Sequence, residues 1–236
     1  MIRTLLCDLD DTLFDHSGST RDALAVVRET TPAFQSWSLD QFDRQHRLVL
    51  EALHLEVLAG RWTVEEARVE RFRQLLRTAG VEESRSEVLE RVSWAYRHAY
   101  EAAWRMIPGA LALAAAAKAD GWQLAIVTNN VVREQRLKVE RGGLTPFVDV
   151  LVTSEEFGAS KPDPRILHHA IDRVGGSADR AVVFGDSLST DIAGARAAGV
   201  RAVWFNRTGA VSPDPMLREV HSLTPADDVL RILVRD

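Results

Sequence analysis

Asp8 and Asp10 stand two residues apart, directly after the apolar run Ile2-Arg3-Thr4-Leu5-Leu6-Cys7. That run has strand length and stops before any helical period begins. A carboxylate placed there can attack phosphorus to form an acyl phosphate that water then cleaves, which splits one difficult displacement into two easier ones. Asp8 is the candidate nucleophile. A leaving alkoxide needs a proton, and Asp10 can supply it and later act as base, provided the chain turns sharply after the strand. In an unbroken strand, residues two apart share a face and their charges repel, so the pair calls for a cation beside it. Three acids (Asp8, Asp10 and Asp11) exceed what strand punctuation or a helix cap requires. Thr12 completes the set as a candidate phosphate contact.

Three further sets follow other apolar runs. Gln123 to Val127 leads into Thr128, Asn129 and Asn130, then into a helix-compatible stretch. A strand that hands over to a helix N-terminus presents free N–H groups and the positive end of a dipole, which suits phosphate. Thr128 and Asn129 are the candidate cradle, although both are also favoured caps without a ligand. Lys161, in Ser160-Lys161-Pro162-Asp163-Pro164, lies just after the run Val148 to Thr153. A fixed cation there can stabilise charge on a phosphoryl group and an aspartate. Pro162 suits the first turn of a helix running on through Ile166 and Ile171. Ala181 to Gly185 ends at Asp186, with Asp191 five residues on. Hard carboxylate oxygens suit magnesium, which takes one or two of them plus substrate and water. Asp186 is the stronger ligand candidate; for Asp191 a metal-ligand reading and a helix-cap reading both stand.

The order of these sets resembles the haloacid dehalogenase superfamily of phosphatases. Its DxDxT is matched by Asp8, Asp10 and Thr12, its strand-end Thr by Thr128, its Lys by Lys161, and its GDxxxxD by Gly185, Asp186 and Asp191. The resemblance implies a phospho-aspartate on Asp8, acid and base work by Asp10, and Mg2+ held by the Asp8 carboxylate, the Asp10 carbonyl oxygen and Asp186. The family's dehalogenases lack the second aspartate, so Asp10 argues for phosphate chemistry. Asn130 departs from the small residue many relatives carry there.

The apolar runs at 2–7, 123–128, 150–153, 181–185 and 200–205 alternate with helical stretches at 108–119, 131–141, 162–174 and 192–198. This pattern predicts an α/β fold: a Rossmann-like, doubly wound parallel sheet with helices on both faces, with the motifs at the carboxyl ends of the strands. Residues 15–106 hold no strand-like run. Apolar residues recur there at helical spacing, as in Leu48, Leu55 and Leu58 or Val88, Val92 and Ala95, which predicts an inserted α-helical cap domain between core segments 1–14 and 107–236. Trp37, Trp62, Trp94 and Trp104 fall in it and are read as core. Arg44, Arg47, Arg61, Arg68 and Arg71, interspersed with acids, are read as a solvated face.

The chain has 236 residues, a formal net charge of −5 and a single cysteine. No sequence-wide basic field exists to attract nucleic acid polymer, and an internal disulfide is impossible, so Cys7 is read as a small buried hydrophobe. His168 and His169 fall within a helical stretch as surface or packing residues. No apolar stretch reaches membrane-spanning length and no signal segment opens the chain, which fits a cytoplasmic enzyme with no membrane partner. The expectation is a magnesium-dependent phosphatase of a small phosphorylated metabolite, a nucleoside monophosphate or sugar phosphate, acting as monomer or homodimer. A phosphosugar mutase using the same residues is one alternative. A non-catalytic magnesium- and phosphate-binding signalling module is another, although such a module gains nothing from Asp10.

Overall fold

A computed structural model of the chain describes residues 3–58, 60–82 and 85–234. Two compact units divide the chain: Met1–Asp15 with Arg105–Asp236, and His16–Trp104.

In the first unit six parallel strands form one sheet in the order β3-β2-β1-β4-β5-β6. They are β1 (Arg3–Cys7), β2 (Trp122–Thr128), β3 (Val150–Thr153), β4 (Ala181–Gly185), β5 (Arg201–Phe205) and β6 (Arg218–Val220). β1 pairs with both β2 and β4, with Cys7 opposite Ile126 and Phe184. The chain therefore winds outward in two directions from β1, and in such sheets the crevice beyond the carboxyl ends at that reversal is where ligands bind. Side chains alternate across each strand. Leu6, Val127, Val152 and Val183 pack with Ile166, Leu167 and Ile171 of α8 (Pro164–Arg173) and with Ala195 of α9 (Ala193–Ala197). Leu5, Leu124, Ile126 and Phe184 point the other way and are equally buried, toward the face of α5 (Ala110–Ala119) and α10 (Ala226–Val234). Continuous apolar strands are what a sheet covered on both faces requires.

The expected strands are present, except that Ile2 lies outside the described residues and β5 starts at Arg201 and not Val200; β6 was not expected, because three residues carry too little periodicity to read. The helix after Lys161 begins later than expected. Asp163 is its N-cap, accepting from the Arg165 N–H at 3.0 Å, and Pro164 rather than Pro162 fills the first turn.

The second unit is helical: α1 (His16–Thr30), a 3-10 turn at Pro32–Phe34, α2 (Leu39–Leu58), α3 (Val64–Thr78) and α4 (Ser86–Ala102). α3 starts on a capping box in which Thr63 and Glu66 satisfy each other's backbone donors. Trp37 meets the expectation of a core residue, packed on Phe34 and Phe42 with ring centroids 5.6 and 5.7 Å away. Trp94 does not: it is 66% exposed and stacks on His98, while Leu48 and Leu55 are 60% and 65% exposed. Their spacing was helical, but they lie on the solvent side of their helices. Arg47, Arg61 and Arg68 pair with neighbouring acids as a solvated face would. Arg71 instead turns inward to the buried His46, 3.2 Å away. No helix of the described residues is long and apolar enough to cross a membrane.

Candidate active site

The candidate site residues lie at or beyond the carboxyl ends of β1, β2 and β4 or, for Lys161, on the loop after β3 and the short helix α7 (Ser154–Phe157). The turn after β1 is sharp: the Leu9 carbonyl accepts from the N–H groups of Leu13 and Phe14 at 2.9 and 2.8 Å. Asp11 takes a left-handed φ of 65°, a conformation that costs most side chains but is tolerated by Asp. This turn lets Asp8 and Asp10 leave the strand in different directions, Asp8 toward Lys161 and Asp10 toward Gln135 and Lys138.

Asp8 is buried, and its Oδ1 accepts from Lys161 Nζ at 2.6 Å. The same ammonium reaches Asp191 Oδ1 at 2.6 Å and the Val127 carbonyl at 2.7 Å. Asn129 holds Lys161 in place through two backbone bonds, its Nδ2 donating to the Lys161 carbonyl and its Oδ1 accepting from the Lys161 N–H, both at 2.8 Å. The amide expected to cradle phosphate is therefore engaged in anchoring the lysine. Thr128, at the end of β2, is buried beside it.

Thr12 is fully buried, and its hydroxyl stands 3.3 Å from Asp186 Oδ1 and accepts from the Asp186 N–H at 3.1 Å. The structure thus places Thr12 as a tie between β1 and β4. The Trp204 indole N–H adds a 2.7 Å bond to the Asp186 carbonyl. Asp191 lies in a π-helical turn, Leu188–Ile192, of the kind often found at functional sites. It is not the helix cap, which is Ser187; instead its Oδ2 accepts from the Ser187 N–H at 3.0 Å. Gly185 makes room for it, since a Cβ there would fall 2.3 Å from Asp191 Oδ2.

Carboxylate oxygens of Asp8, Asp186 and Asp191 all come within 4.8 Å of one another. Lys161 is the ammonium among them, so with all three acids ionised, as metal binding requires, two negative charges are left over. Burial pushes Asp8 well above the usual carboxylate range, against the pull of Lys161. Burial and the charges of Asp191 and Asp11 raise Asp186 to about 7. Burial draws Lys161 down, but Asp191 and Asp8 more than offset it and hold it above its ordinary value. Hard oxygen donors with surplus negative charge fit a divalent cation such as Mg2+. Cys7 is buried beneath, its thiol pushed up by burial and so poorly nucleophilic.

Asp10 faces a different neighbourhood. Its carboxylate accepts from Asn130 Nδ2 at 3.2 Å, Gln135 Nε2 at 2.9 Å and Lys138 Nζ at 2.7 Å. The last two come from α6 (Val132–Arg141), and neither they nor Asn130 figured among the expected site residues.

A model of the family described as haloacid dehalogenase-like hydrolase matches residues 2–199. The chain belongs to that family of hydrolases. It is similar to the phosphoserine phosphatase of Thermus thermophilus, 37% identical over 144 residues that span 61% of this chain and 56% of that one. The HAD-hydrolase YfnB of Bacillus subtilis is 31% identical over 86% of this chain and 84% of its own. Its magnesium-bound crystal structure superposes with a TM-score of 0.75 over 99% of both chains. The glyceraldehyde 3-phosphate phosphatase of Methanothermobacter thermautotrophicus is 26% identical over 87% of this chain and 86% of its own.

Proposed function

We propose that the chain is a magnesium-dependent phosphatase of small phosphate monoesters, a sugar phosphate, nucleoside monophosphate or phosphorylated amino acid, working through a phospho-aspartate on Asp8. The observation that carries this reading is the Lys161 ammonium, 2.6 Å from both Asp8 and Asp191. It ties down Asp8 Oδ1 and leaves Oδ2 as the oxygen to attack. In the first step Oδ2 bonds to phosphorus as the ester P–O bond breaks, and Asp10 gives its proton to the departing oxygen. In the second, water attacks the same phosphorus, its proton passes to Asp10, and Asp8 leaves as a carboxylate with inorganic phosphate. Lys161 screens the charge on Asp8 and the phosphoryl oxygens throughout. Thr128 and the N–H groups that follow β2 meet those oxygens.

Asp8 and Asp186, with the Asp10 carbonyl, would hold Mg2+, which when bound supplies positive charge against the phosphoryl oxygens. Both oxygens of Asp191 already have donors, so its part is to fix Lys161 and Ser187. Similarity to phosphoserine and glyceraldehyde 3-phosphate phosphatases supports a small monoester as substrate. The test is phosphate release from a panel of such esters with magnesium or with chelator, in the intact protein and in Asp8→Asn. Magnesium-dependent release that Asp8→Asn abolishes supports the reading; no release from any ester by the folded protein counts against it.

A further inference from the structure

The buried face of α6 is Glu134, Gln135, Lys138 and Val139. A helix that only packs against a sheet buries an apolar stripe, whereas this one buries an acid, an amide and an ammonium. Lysine is almost never fully buried unless paired, and Lys138 is 0% exposed. Its Nζ lies 2.7 Å from Asp10 Oδ1 and 3.1 Å from Glu134 Oε1, and 4.7 Å from the centre of the Phe14 ring. Lys138 therefore touches the turn after β1 twice, at the Asp10 carboxylate and at the residue that closes the turn. Gln135, also 0% exposed, donates Nε2 to Asp10 Oδ2 at 2.9 Å. In doing so it leaves its own buried Oε1 without a partner among the described residues, an unfavourable arrangement that packing alone does not explain. Asn130 adds a third donor, 3.2 Å from the same oxygen, while its Oδ1 caps the Val131 N–H at 2.8 Å.

We propose that Lys138 and Gln135, with Asn130, are positioning residues that clamp the Asp10 carboxylate for the second half of the reaction, the hydrolysis of the phosphoenzyme. The inference rests on the phosphatase reading above. All three contacts are donors, and together they address both oxygens of Asp10, so the side chain keeps one orientation. In that step the bond from water oxygen to phosphorus forms, the bond from phosphorus to the Asp8 oxygen breaks, and the water proton moves to Asp10. A base whose orientation wanders takes that proton more slowly. Glu134, one turn before Lys138 on the same helix, balances its charge, and the clamp grips a strand loop more than a hundred residues earlier in the chain.

The experiment is stopped-flow hydrolysis of p-nitrophenyl phosphate with magnesium by the whole protein and by Lys138→Met and Gln135→Met. Nitrophenolate leaves without a proton, so phosphorylation of Asp8 does not depend on Asp10, but water attack does. The expected result is a burst near one nitrophenolate per site, followed by a steady rate at least tenfold below that of the intact protein, and phosphoenzyme recovered on acid quench. Gln135→Met removes the unpartnered carbonyl, so its melting temperature holds, and this keeps the test open if Lys138→Met fails to fold. A folded Gln135→Met or Lys138→Met with no burst and a steady rate within twofold of the intact protein would overturn the clamp. An intact protein that releases neither nitrophenolate nor phosphate from any ester of the panel would instead overturn the phosphatase reading.

Discussion

Asp186 offers the sharpest quantitative handle, because burial first, and then the charges of Asp191 and Asp11, raise it to about 7. A metal must find the carboxylate deprotonated. Roughly one molecule in eleven carries ionised Asp186 at about pH 6 and roughly ten in eleven at about pH 8, so magnesium should bind about tenfold tighter at the higher pH, or about 1.4 kcal/mol. The sign follows from the direction of the shift: the folded pKa lies above the unfolded one, so the metal-free protein loses stability as pH rises from the usual aspartate range toward about 7, and magnesium restores it. Isothermal titration calorimetry of the metal-free protein with magnesium, in buffers of different ionisation enthalpy, reads both affinity and protons released. More protons per ion should leave at about pH 6 than at about pH 8, because Asp186 and Asp8 are both held above the usual carboxylate range and both must be deprotonated to bind the metal. Magnesium affinity that stays flat across this range, with no proton release, would refute the assignment of Asp186 as the titrating ligand.

Other perturbations reach the same cluster. Lys161→Met leaves Asp8 and Asp191 buried without their shared cation and should cost about 3–5 kcal/mol in urea unfolding at neutral pH, with less lost as pH falls and the acids protonate. Thr12→Val removes both contacts to Asp186 and should weaken magnesium binding about 10–100-fold by calorimetry, with little change in secondary structure. Gly185→Ala drives a methyl against Asp191 and should lower stability by about 1–3 kcal/mol in thermal melts while also depressing turnover.

The strands and the acids at their ends were legible because a sheet covered on both faces needs uninterrupted apolar runs, and a polar residue where such a run stops stands out. The separate helical stretch from His16 onward was legible from period alone, but which side faced inward was not. Leu48, Leu55 and Trp94 keep helical spacing and still face solvent, since spacing fixes a face without saying what covers it. The Asp10 clamp was hidden for the opposite reason. Gln135 and Lys138 sit on a helix of mostly charged residues, and their partner Asp10 lies on the loop after β1, far away in sequence. Thr12 and Asn129 are read from the sequence as candidate phosphate contacts, whereas their partners in the structure are Asp186 and the Lys161 backbone. Such second partners depend on which strands become neighbours, and the order placing β1 between β2 and β4 is a property of the folded sheet.

The central claim is a covalent phosphoryl group on Asp8, and acid-quenched peptide mapping after incubation with p-nitrophenyl phosphate and magnesium tests it most directly. The expected result is one phosphoryl adduct on the peptide containing Asp8, increased in Asp10→Asn, where water attack lacks its base, and absent in Asp8→Asn. Phosphate release that persists in Asp8→Asn, or turnover with the adduct on any other residue, would contradict the account.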